Sequence, residues 1–432
     1  MLSLTYGQLL MQNRNFRNLL AGQVISELGN WFNFIAGLGL VRLVSDASPV
    51  AAGIFFFCRF IPFAFASPIA GTFVDRFSRR QVMIATDLAR AVVALSFLLV
   101  GSRDELWIAY AATVLGSLLG AFFEGAKNAT TPNLTGNEGL LAGTALMFSS
   151  RFLLMAVGSA LGGWASAIFG YQVAFVINAA SFLASAYSVW IIPEEATRDA
   201  ATGERMAVRE KREPFLKELR DGLRYTVKNH FAATILIMNV IWATGGGAVN
   251  IIFERLGGIY FAGAEGWNAD IAVAILWTAS GFGLTIGMLI AHRTSVMLER
   301  QKSHTAFIGW TLIVHGVLFS IGGLMPTLVM FALVAFISRA IIGVEYAVQE
   351  TLFQRSLPDQ IRGRISTLDR GAELTMFGLS SYFSGIGMDY FSPQMLTVIS
   401  GALSAMSGVI WFIRQTNTRS YMGPKVTPGL AD

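Results

Sequence analysis

The chain has 432 residues, of which 54% are hydrophobic and only 14% are Lys, Arg, Asp or Glu. Soluble domains carry about 25% charged residues, so this composition excludes a chain of soluble domains. The 32 basic and 27 acidic residues do not by themselves indicate a nucleic-acid partner, because membrane proteins collect Lys and Arg in their cytoplasmic loops. The single cysteine, Cys58, excludes an intrachain disulfide and a CxxC metal site.

Long apolar segments recur from one end of the chain to the other. Lipid offers the backbone no hydrogen bonds, so each segment must form a helix. The start of the chain is too polar for a signal peptide, and we expect the first span to be retained. The twelve predicted spans are 17–44, 49–71, 81–101, 105–127, 139–168, 171–192, 229–254, 269–291, 304–324, 327–349, 365–390 and 393–414.

The distribution of basic residues predicts the orientation of these spans. With the amino terminus in the cytoplasm, 25 Lys and Arg residues fall in cytoplasmic segments and only three at the outer surface. This asymmetry predicts a cell-membrane protein with both termini in the cytoplasm. The three outer residues are Arg42, Arg103 and Arg255, and four arginines lie within spans: Arg59, Arg90, Arg151 and Arg339.

One long polar segment, 193–228, divides the spans into six and six. From Phe215 onward, Phe215, Leu219 and Leu223 recur every four residues among basic side chains, which predicts an amphipathic helix on the inner leaflet. We expect the segment to act as a tether, with a soluble partner as the alternative. The predicted domains are a bundle at 1–192, the linker at 193–228, a second bundle at 229–414 and a cytoplasmic tail at 415–432.

Polar side chains follow one face of the first span. They must avoid lipid, because a charge at membrane depth costs roughly 2.5–3.5 kcal/mol on insertion scales. We therefore expect this face to line a cavity. Its residues are Gln23, Ser26, Glu27, Asn30 and Asn33.

Glu27 in the first span and Arg59 in the second lie at similar depths in neighbouring antiparallel helices. Burial disfavours the ionised carboxylate, whereas a nearby arginine favours it. Our hypothesis is that Glu27 carries a coupling proton and that Arg59 tunes it. The alternative is a permanently ionised structural pair.

The loop after the second span reads Gly71-Thr-Phe-Val-Asp75-Arg76-Phe-Ser-Arg79-Arg80. This GxxxDRxxRR pattern resembles motif A of the major facilitator superfamily, and it stands in that family's position between spans two and three. The resemblance implies that Asp75, Arg76, Arg79 and Arg80 lock two helical bundles together on the cytoplasmic side.

The two halves of the chain also resemble each other. Glu124 lies eight residues before Pro132 at the end of span four, and Glu350 lies eight residues before Pro358 at the end of span ten. Halves related by a parallel repeat would place these glutamates in matching positions. We expect both to join Asp87 and the motif A arginines in a cytoplasmic gate. The alternative is two exposed carboxylates at helix ends.

Further stretches are similar to the efflux branch of the superfamily that holds macrolide and enterobactin exporters. With motif A they cover essentially the whole chain. The fifth span departs from the antiporter motif, since Ser159 stands where that motif has proline, and this weakens an inference of proton antiport. The stretches are Asn13-Arg-Asn-Phe16-Arg17 with Gly22-Gln23-x-x-Ser26-x-Leu28-Gly29, Pro132 with Leu140-Leu-Ala-Gly-Thr-Ala145, and 354–364.

Span seven contains Gly245, Gly246 and Gly247 in succession. Three glycines at membrane depth favour a break or hinge, and a close helix crossing is the alternative. Aromatic and charged residues in several spans are candidates for a substrate cavity. The candidates are Gln23, Asn30, Trp31, Asn33, Arg151, Trp242, Arg339 and Glu345.

The resemblance implies an all-α fold of two six-helix bundles and a secondary active transporter that works by alternating access. We expect proton-driven export of an amphipathic or lipophilic molecule. The alternatives are a dedicated carrier for a siderophore, lysolipid or other anionic metabolite, and a receptor that does not transport. The absence of a GxxxxGK[ST] phosphate loop argues against an ATP-driven pump.

The sequence does not indicate an enzyme. A membrane enzyme would need a nucleophile–base set or a metal cluster, and the four histidines have no ligand spacing. We expect no metal and no cofactor, with the proton gradient as the energy source. The expected partners are the lipid bilayer and a small-molecule substrate, and not nucleic acid. We expect the chain to function as a monomer.

Overall fold

Helices account for every predicted span. A computed structural model describes residues 4–74, 77–197, 215–301 and 303–415. Within these ranges, eleven helices are long and apolar enough to cross a membrane: α1 Arg14–Val44, α2 Pro49–Gly71, α3 Arg79–Leu99, α4 Arg103–Gly136, α5 Glu138–Phe169, α6 Tyr171–Trp190, α7 His230–Glu265, α8 Ala269–Gln301, α9 His304–Gly322, α10 Leu328–Ser356 and α12 Pro393–Gln415. The predicted all-α, multi-pass membrane fold is confirmed.

The remaining predicted span corresponds to α11, Asp359–Gly387. It falls short of the others in apolar character because its first half is rich in charge. Six of its residues are ionisable acids or arginines: Asp359, Arg362, Arg364, Asp369, Arg370 and Glu373. Several helices extend beyond their apolar runs, most of all α4, α7, α8 and α10.

Local sequence explains where several helices begin. The side chain of Asn13 accepts a hydrogen bond from the backbone N–H of Phe16 at the start of α1, and Asn229 caps α7 in the same way. Between α4 and α5, Gly136 has φ 62° and ψ 179°. Residues with a side chain rarely adopt this conformation, so glycine allows the chain to change direction there almost without a loop.

Two six-helix bundles pack side by side. In the first, α1 contacts α5 and α6, while α4 packs against α2 and α3. In the second, α7 contacts α11 and α12, and α10 packs against α8 and α9. The bundles meet where α2 packs on α11 and α5 packs on α8. The second helix of each half thus contacts the fifth helix of the other, as expected for a parallel repeat.

Small residues allow the two bundles to approach closely. A Cβ atom on Gly281 of α8 would lie 2.5 Å from the backbone nitrogen of Ala156 in α5. One on Gly385 of α11 would lie 2.6 Å from the carbonyl oxygen of Pro49 in α2. The hydroxyl of Thr278 donates to the carbonyl oxygen of Ala156 at 3.2 Å. Backbone packing of this kind is how helices associate within lipid.

Helix α7 continues without interruption through its three glycines, so the break predicted at Gly245, Gly246 and Gly247 is absent from the structure. A Cβ atom on Gly247 would lie 2.6 Å from the carbonyl oxygen of Phe377. A Cβ atom on Gly245 would lie 2.6 Å from the carbonyl oxygen of Ser400. Close crossings with α11 and α12 therefore explain the glycines. The irregular part of α7 is a π-helical turn further on, Leu256–Phe261.

The helix Phe215–Lys228 lies against α11 and α7. Gly222 and Thr226 are buried, whereas Leu223 and Val227 are exposed. We call the membrane face that carries this helix the linker face and the opposite one the far face. Residues 198–214 of the predicted linker and 416–432 of the predicted tail lie outside the described residues.

Candidate functional site

A cavity of about 380 Å³ lies in the first bundle, with α11 of the second bundle closing one side. Its volume is at the small end of the roughly 300–1,000 Å³ typical of ligand pockets. Asn128 and Glu124, at the linker end of α4, mark its extent in that direction. The charged residues that line it are Glu27, Arg59, Arg90, Glu124, Arg151 and Arg370.

The predicted polar face of α1 does line this cavity, through Glu27, Asn30 and Asn33. The side-chain amide of Asn30 donates to Glu27 Oε2 at 3.3 Å. Arg59 lies close enough to interact electrostatically with both Glu27 and Arg151. Within the described parts of the chain, however, no salt bridge joins Glu27 to Arg59. The guanidinium of Arg59 instead lies 4.8 Å from the centre of a phenylalanine ring, that of Phe34.

Two candidates from α1 are outside the cavity lining. Gln23 is buried and donates to the carbonyl oxygen of Met147 at 2.9 Å and to Ser150 Oγ at 3.1 Å, which joins α1 to α5. Trp31 packs edge-on against Phe34 at 5.2 Å and also contacts Trp277 of α8. Both side chains therefore contribute to packing in this structure.

The candidates in the second bundle also lie away from this cavity. Trp242 packs edge-on against the ring of Phe377 at 5.6 Å. Arg339 is half-buried at the crossing of α10 with α8, where a Cβ atom on Gly283 would lie 2.9 Å from the Cβ of Arg339. Glu345 is buried with one carboxylate oxygen lacking a hydrogen-bond partner in the structure.

Asp87 and Arg90 form a buried ion pair on α3. The guanidinium of Arg90 lies 4.6 Å from the ring centre of Phe123 and 4.2 Å from that of Phe182. Arg90 therefore connects α3 to α4 and α6 while it also lines the cavity. Sequence reasoning assigned Asp87 to the cytoplasmic gate, but its salt bridge in the structure lies within α3.

Replacing Arg90 by glutamine is expected to lower the stability of the protein by about 3–5 kcal/mol, because Asp87 would remain buried without its counter-charge. Thermal unfolding of the purified protein in nanodiscs measures the change. The double variant Asp87→Asn/Arg90→Gln removes both charges and should recover part of the loss. Equal stability of Arg90→Gln and the parent protein would contradict the assignment.

The described part of motif A makes contacts within the first bundle. Arg79 donates to the carbonyl oxygen of Ala129 at 2.9 Å, and Arg80 donates to that of Trp190. Gly71 is exposed, and a Cβ atom there would have open space. Asp75 and Arg76 lie outside the described residues, so their predicted roles in the lock stay predictions.

The paired glutamates of the two halves have different surroundings. Glu124 accepts from Lys127 Nζ at 2.6 Å and lines the cavity. Glu350 accepts from the side-chain amide of Gln354 at 2.6 Å. Both glutamates are predicted to belong to a gate that closes the linker face. Their roles in this gate stay predictions.

A second polar cluster, in α7, α10 and α11, was missed by the sequence reasoning. The side-chain amide of Asn239 donates to Asp369 at 2.9 and 3.1 Å, and Gln349 donates to Asn239 at 2.8 Å. Beside them, Arg370 pairs with Glu373 at 2.7 Å. The available signal is the group Asp369, Arg370 and Glu373 in the first half of the predicted span 365–390.

The far face is closed by an ion-pair cluster between the bundles, which sequence reasoning also missed. Arg42 at the end of α1 pairs with Glu254 of α7 at 3.1 Å and with Asp270 of α8. Arg255 donates to the carbonyl oxygen of Ala47 at 2.5 Å. The sequence predicts Arg42 and Arg255 at the outer surface and gives no sign that they meet partners between the bundles.

The π-helical turn of α7 provides space for this cluster. A Cβ atom on Gly258 would lie 2.5 Å from Arg42 Nη1, so glycine at this position leaves room for the guanidinium to reach Glu254 past the turn. The side chains of Arg42, Glu254 and Asp270 are 10%, 3% and 9% exposed, respectively. The two bundles are thus joined at the far face by nearly buried charges.

The chain resembles known membrane transporters along most of its length. The model of the Major Facilitator Superfamily matches residues 19–368. Over 97% of its length and 99% of the relative, the chain is 24% identical to an uncharacterized MFS-type transporter, YfiS, of Bacillus subtilis strain 168. It is 23% identical to macrolide efflux protein A of Streptococcus pyogenes, over 80% of this chain and 82% of that protein.

A solved structure shares the fold. The crystal structure of a bacterial homologue of the iron transporter ferroportin, in an inward-facing state, superposes with a TM-score of 0.70 at 15% identity. The match covers 93% of this chain and 99% of that one. With the helical architecture and the family match across most of its length, the chain belongs to the Major Facilitator Superfamily and is a membrane transporter rather than an enzyme.

Proposed function

We propose that this transporter exports an amphipathic or lipophilic small molecule and that the proton gradient drives export. The observation that carries the proposal is the cavity, in which charged and amide side chains stand beside the rings of Phe60 and Phe63. Such a lining suits a molecule with one polar and one apolar part. The macrolide efflux protein among the relatives supports export.

The linker face is proposed to be cytoplasmic. The asymmetry of 25 basic residues against three supports this orientation. With that orientation, the ion pairs of Arg42 close the outer side, and the cavity extends toward the cytoplasm at Glu124. This is the conformation in which an exporter loads its substrate from the cell interior.

Glu27 is the proposed carrier of the coupling proton. It lines the cavity, it has no salt-bridge partner in the described ranges, and Arg59 is near enough to respond to its charge. A change in its protonation therefore alters the charge of the cavity directly. Asp369, which Asn239 holds in the second bundle, is the next candidate.

The Glu27→Gln variant is expected to abolish energised efflux, because glutamine does not exchange a proton. The chain is expressed in a host without its own efflux pumps, and loss of preloaded lipophilic dyes and macrolides is followed with and without a protonophore. In the parent protein, efflux should stop when the protonophore is added. In Glu27→Gln, it should remain at that lower level under both conditions.

The matched control is Glu299→Gln, which removes an acid from an exposed pair with Arg355. Exposed pairs contribute about 0–1 kcal/mol, so this variant should behave as the parent. Efflux that survives in Glu27→Gln but not in Asp369→Asn would move the proton site to α11. Efflux insensitive to the protonophore in the parent would contradict proton coupling.

The alternative function is a dedicated carrier for a siderophore, lysolipid or other anionic metabolite. It is favoured by the arginines of the cavity, four of them against two glutamates. A receptor without transport is a further alternative. Ligand binding without any flux would distinguish it from both carriers.

A further inference from the structure

The charges that line the cavity do not all have partners. Arg90 pairs with Asp87, and Glu124 pairs with Lys127 at 2.6 Å. Arg370 pairs with Glu373 at 2.7 Å. These three pairs are neutral. Of the six charged residues that line the cavity, three have no salt bridge with another described residue: Glu27, Arg59 and Arg151.

The guanidinium groups of Arg59 and Arg151 make no hydrogen bond and no salt bridge with any residue in ranges 4–74, 77–197, 215–301 and 303–415. Arg59 interacts through its charge with Glu27 and Arg151, and Arg151 also interacts with Glu124, whose salt-bridge partner is Lys127. A charge at membrane depth is costly unless it has a partner or faces a water-filled cavity. By formal count, the three lining residues without a salt bridge in the described ranges leave one positive charge in excess.

Arginine is suited to a particular kind of partner. Its planar guanidinium donates in parallel to both oxygens of a carboxylate or to two oxygens of a phosphate. Arg59 is held in place from one side by the ring of Phe34, 4.8 Å away, so its position is set before a ligand arrives. Preorganisation of this kind lowers the cost of binding.

We propose that Arg59 and Arg151 form a subsite for an anionic group, a carboxylate or a phosphate, of the transported molecule. Phe60 and Phe63 would contact its apolar part, and Asn30 and Asn33 lie on the same wall as Glu27. The inference rests on the proposed function, because the ligand is taken to be the substrate. It narrows that substrate to an amphipathic anion or a zwitterion.

The test compares ligands that differ only in the anionic group. The full chain in nanodiscs is titrated with dansyl-phenylalanine and its neutral amide, and separately with methylumbelliferyl phosphate and methylumbelliferone. The anionic member of at least one pair is expected to bind about tenfold more tightly, which corresponds to about 1.4 kcal/mol. The pair that shows the preference identifies carboxylate or phosphate as the group.

Variants of the subsite connect the preference to these two arginines. Arg151→Gln and Arg59→Gln should reduce binding of the anion to the level of its neutral partner and leave the neutral partner unchanged. Arg59→Lys keeps the charge and should retain part of the preference if Arg59→Gln does not fold. Arg300→Gln, which removes an exposed arginine at the linker end of α8, should bind as the parent.

The subsite is overturned if neither ligand pair shows a preference for the anion, or if no ligand binds. It is also overturned if the preference persists in both glutamine variants. The efflux assay gives an independent result. Dye efflux without an anion preference supports the proposed export and overturns the subsite. An anion preference without energised efflux supports the subsite and contradicts export.

Discussion

Replacing Arg42 by glutamine is expected to open the far face. The variant leaves Glu254 and Asp270 close together, nearly buried and without the arginine that joins them to α1. Removing one partner of a buried ion pair costs about 3–5 kcal/mol. Much of that cost is relieved when water reaches the two acids, so the open conformation becomes favoured.

The measurement uses a cysteine at position 274 in a Cys58→Ser background. Ala274 is 3% exposed, and it lies opposite Gly163 where α8 meets α5 near the far face. In the parent, a maleimide should label this cysteine slowly. In Arg42→Gln, labelling should be at least about tenfold faster, which corresponds to a shift of about 1.4 kcal/mol.

Two controls separate charge pairing from general disruption. Arg103→Gln removes an exposed arginine at the same face and should label as the parent. The combination of Arg42→Gln with Glu254→Gln and Asp270→Asn removes all three charges of these ion pairs and should return labelling toward the parent rate. Labelling of Arg42→Gln at the parent rate would show that these ion pairs do not hold the face closed.

The second large effect is expected from Gly281→Ala at the contact of α8 with α5. The added Cβ would lie 2.5 Å from the backbone nitrogen of Ala156 and 2.8 Å from its Cα. Backbone atoms cannot rotate away as a side chain can, so the two helices must separate. We expect a loss of about 1–3 kcal/mol, the usual cost of overpacking, and a lower unfolding midpoint in nanodiscs.

Gly363→Ala is the matched control, because nothing lies within 4 Å of a Cβ atom at that helical position. Alanine favours a helix over glycine by about 1 kcal/mol, so this variant should unfold at the parent temperature or above it. If Gly281→Ala unfolds like Gly363→Ala, the bundles tolerate a wider crossing than the structure indicates.

The sequence predicted the helices well because the apolar runs that define them are local. The polar face of α1 was also predictable, since Glu27, Asn30 and Asn33 repeat with the period of a helix. The partners of Arg42 were not, because they lie 212 and 228 residues further along the chain. Only the packing of the two halves brings these charges together.

The glycines of α7 illustrate the same limit. Three successive glycines are compatible with a break in the helix or with a close helix crossing. The neighbouring residues that show a close crossing belong to α11 and α12. Whether Glu27 and Arg59 form a salt bridge was not predictable from the sequence for a related reason. Equal depth in neighbouring helices does not specify which way the side chains turn.

The charge-rich first half of α11 has a consequence for biogenesis. Asp, Lys and Arg near the centre of a helix cost roughly 2.5–3.5 kcal/mol each during insertion by the translocon, so α11 enters the bilayer poorly by itself. Asn239 of α7, which binds Asp369, is synthesised 130 residues earlier. We therefore expect nascent α7 to stay close to the translocon until α11 is made, so that the two helices insert together.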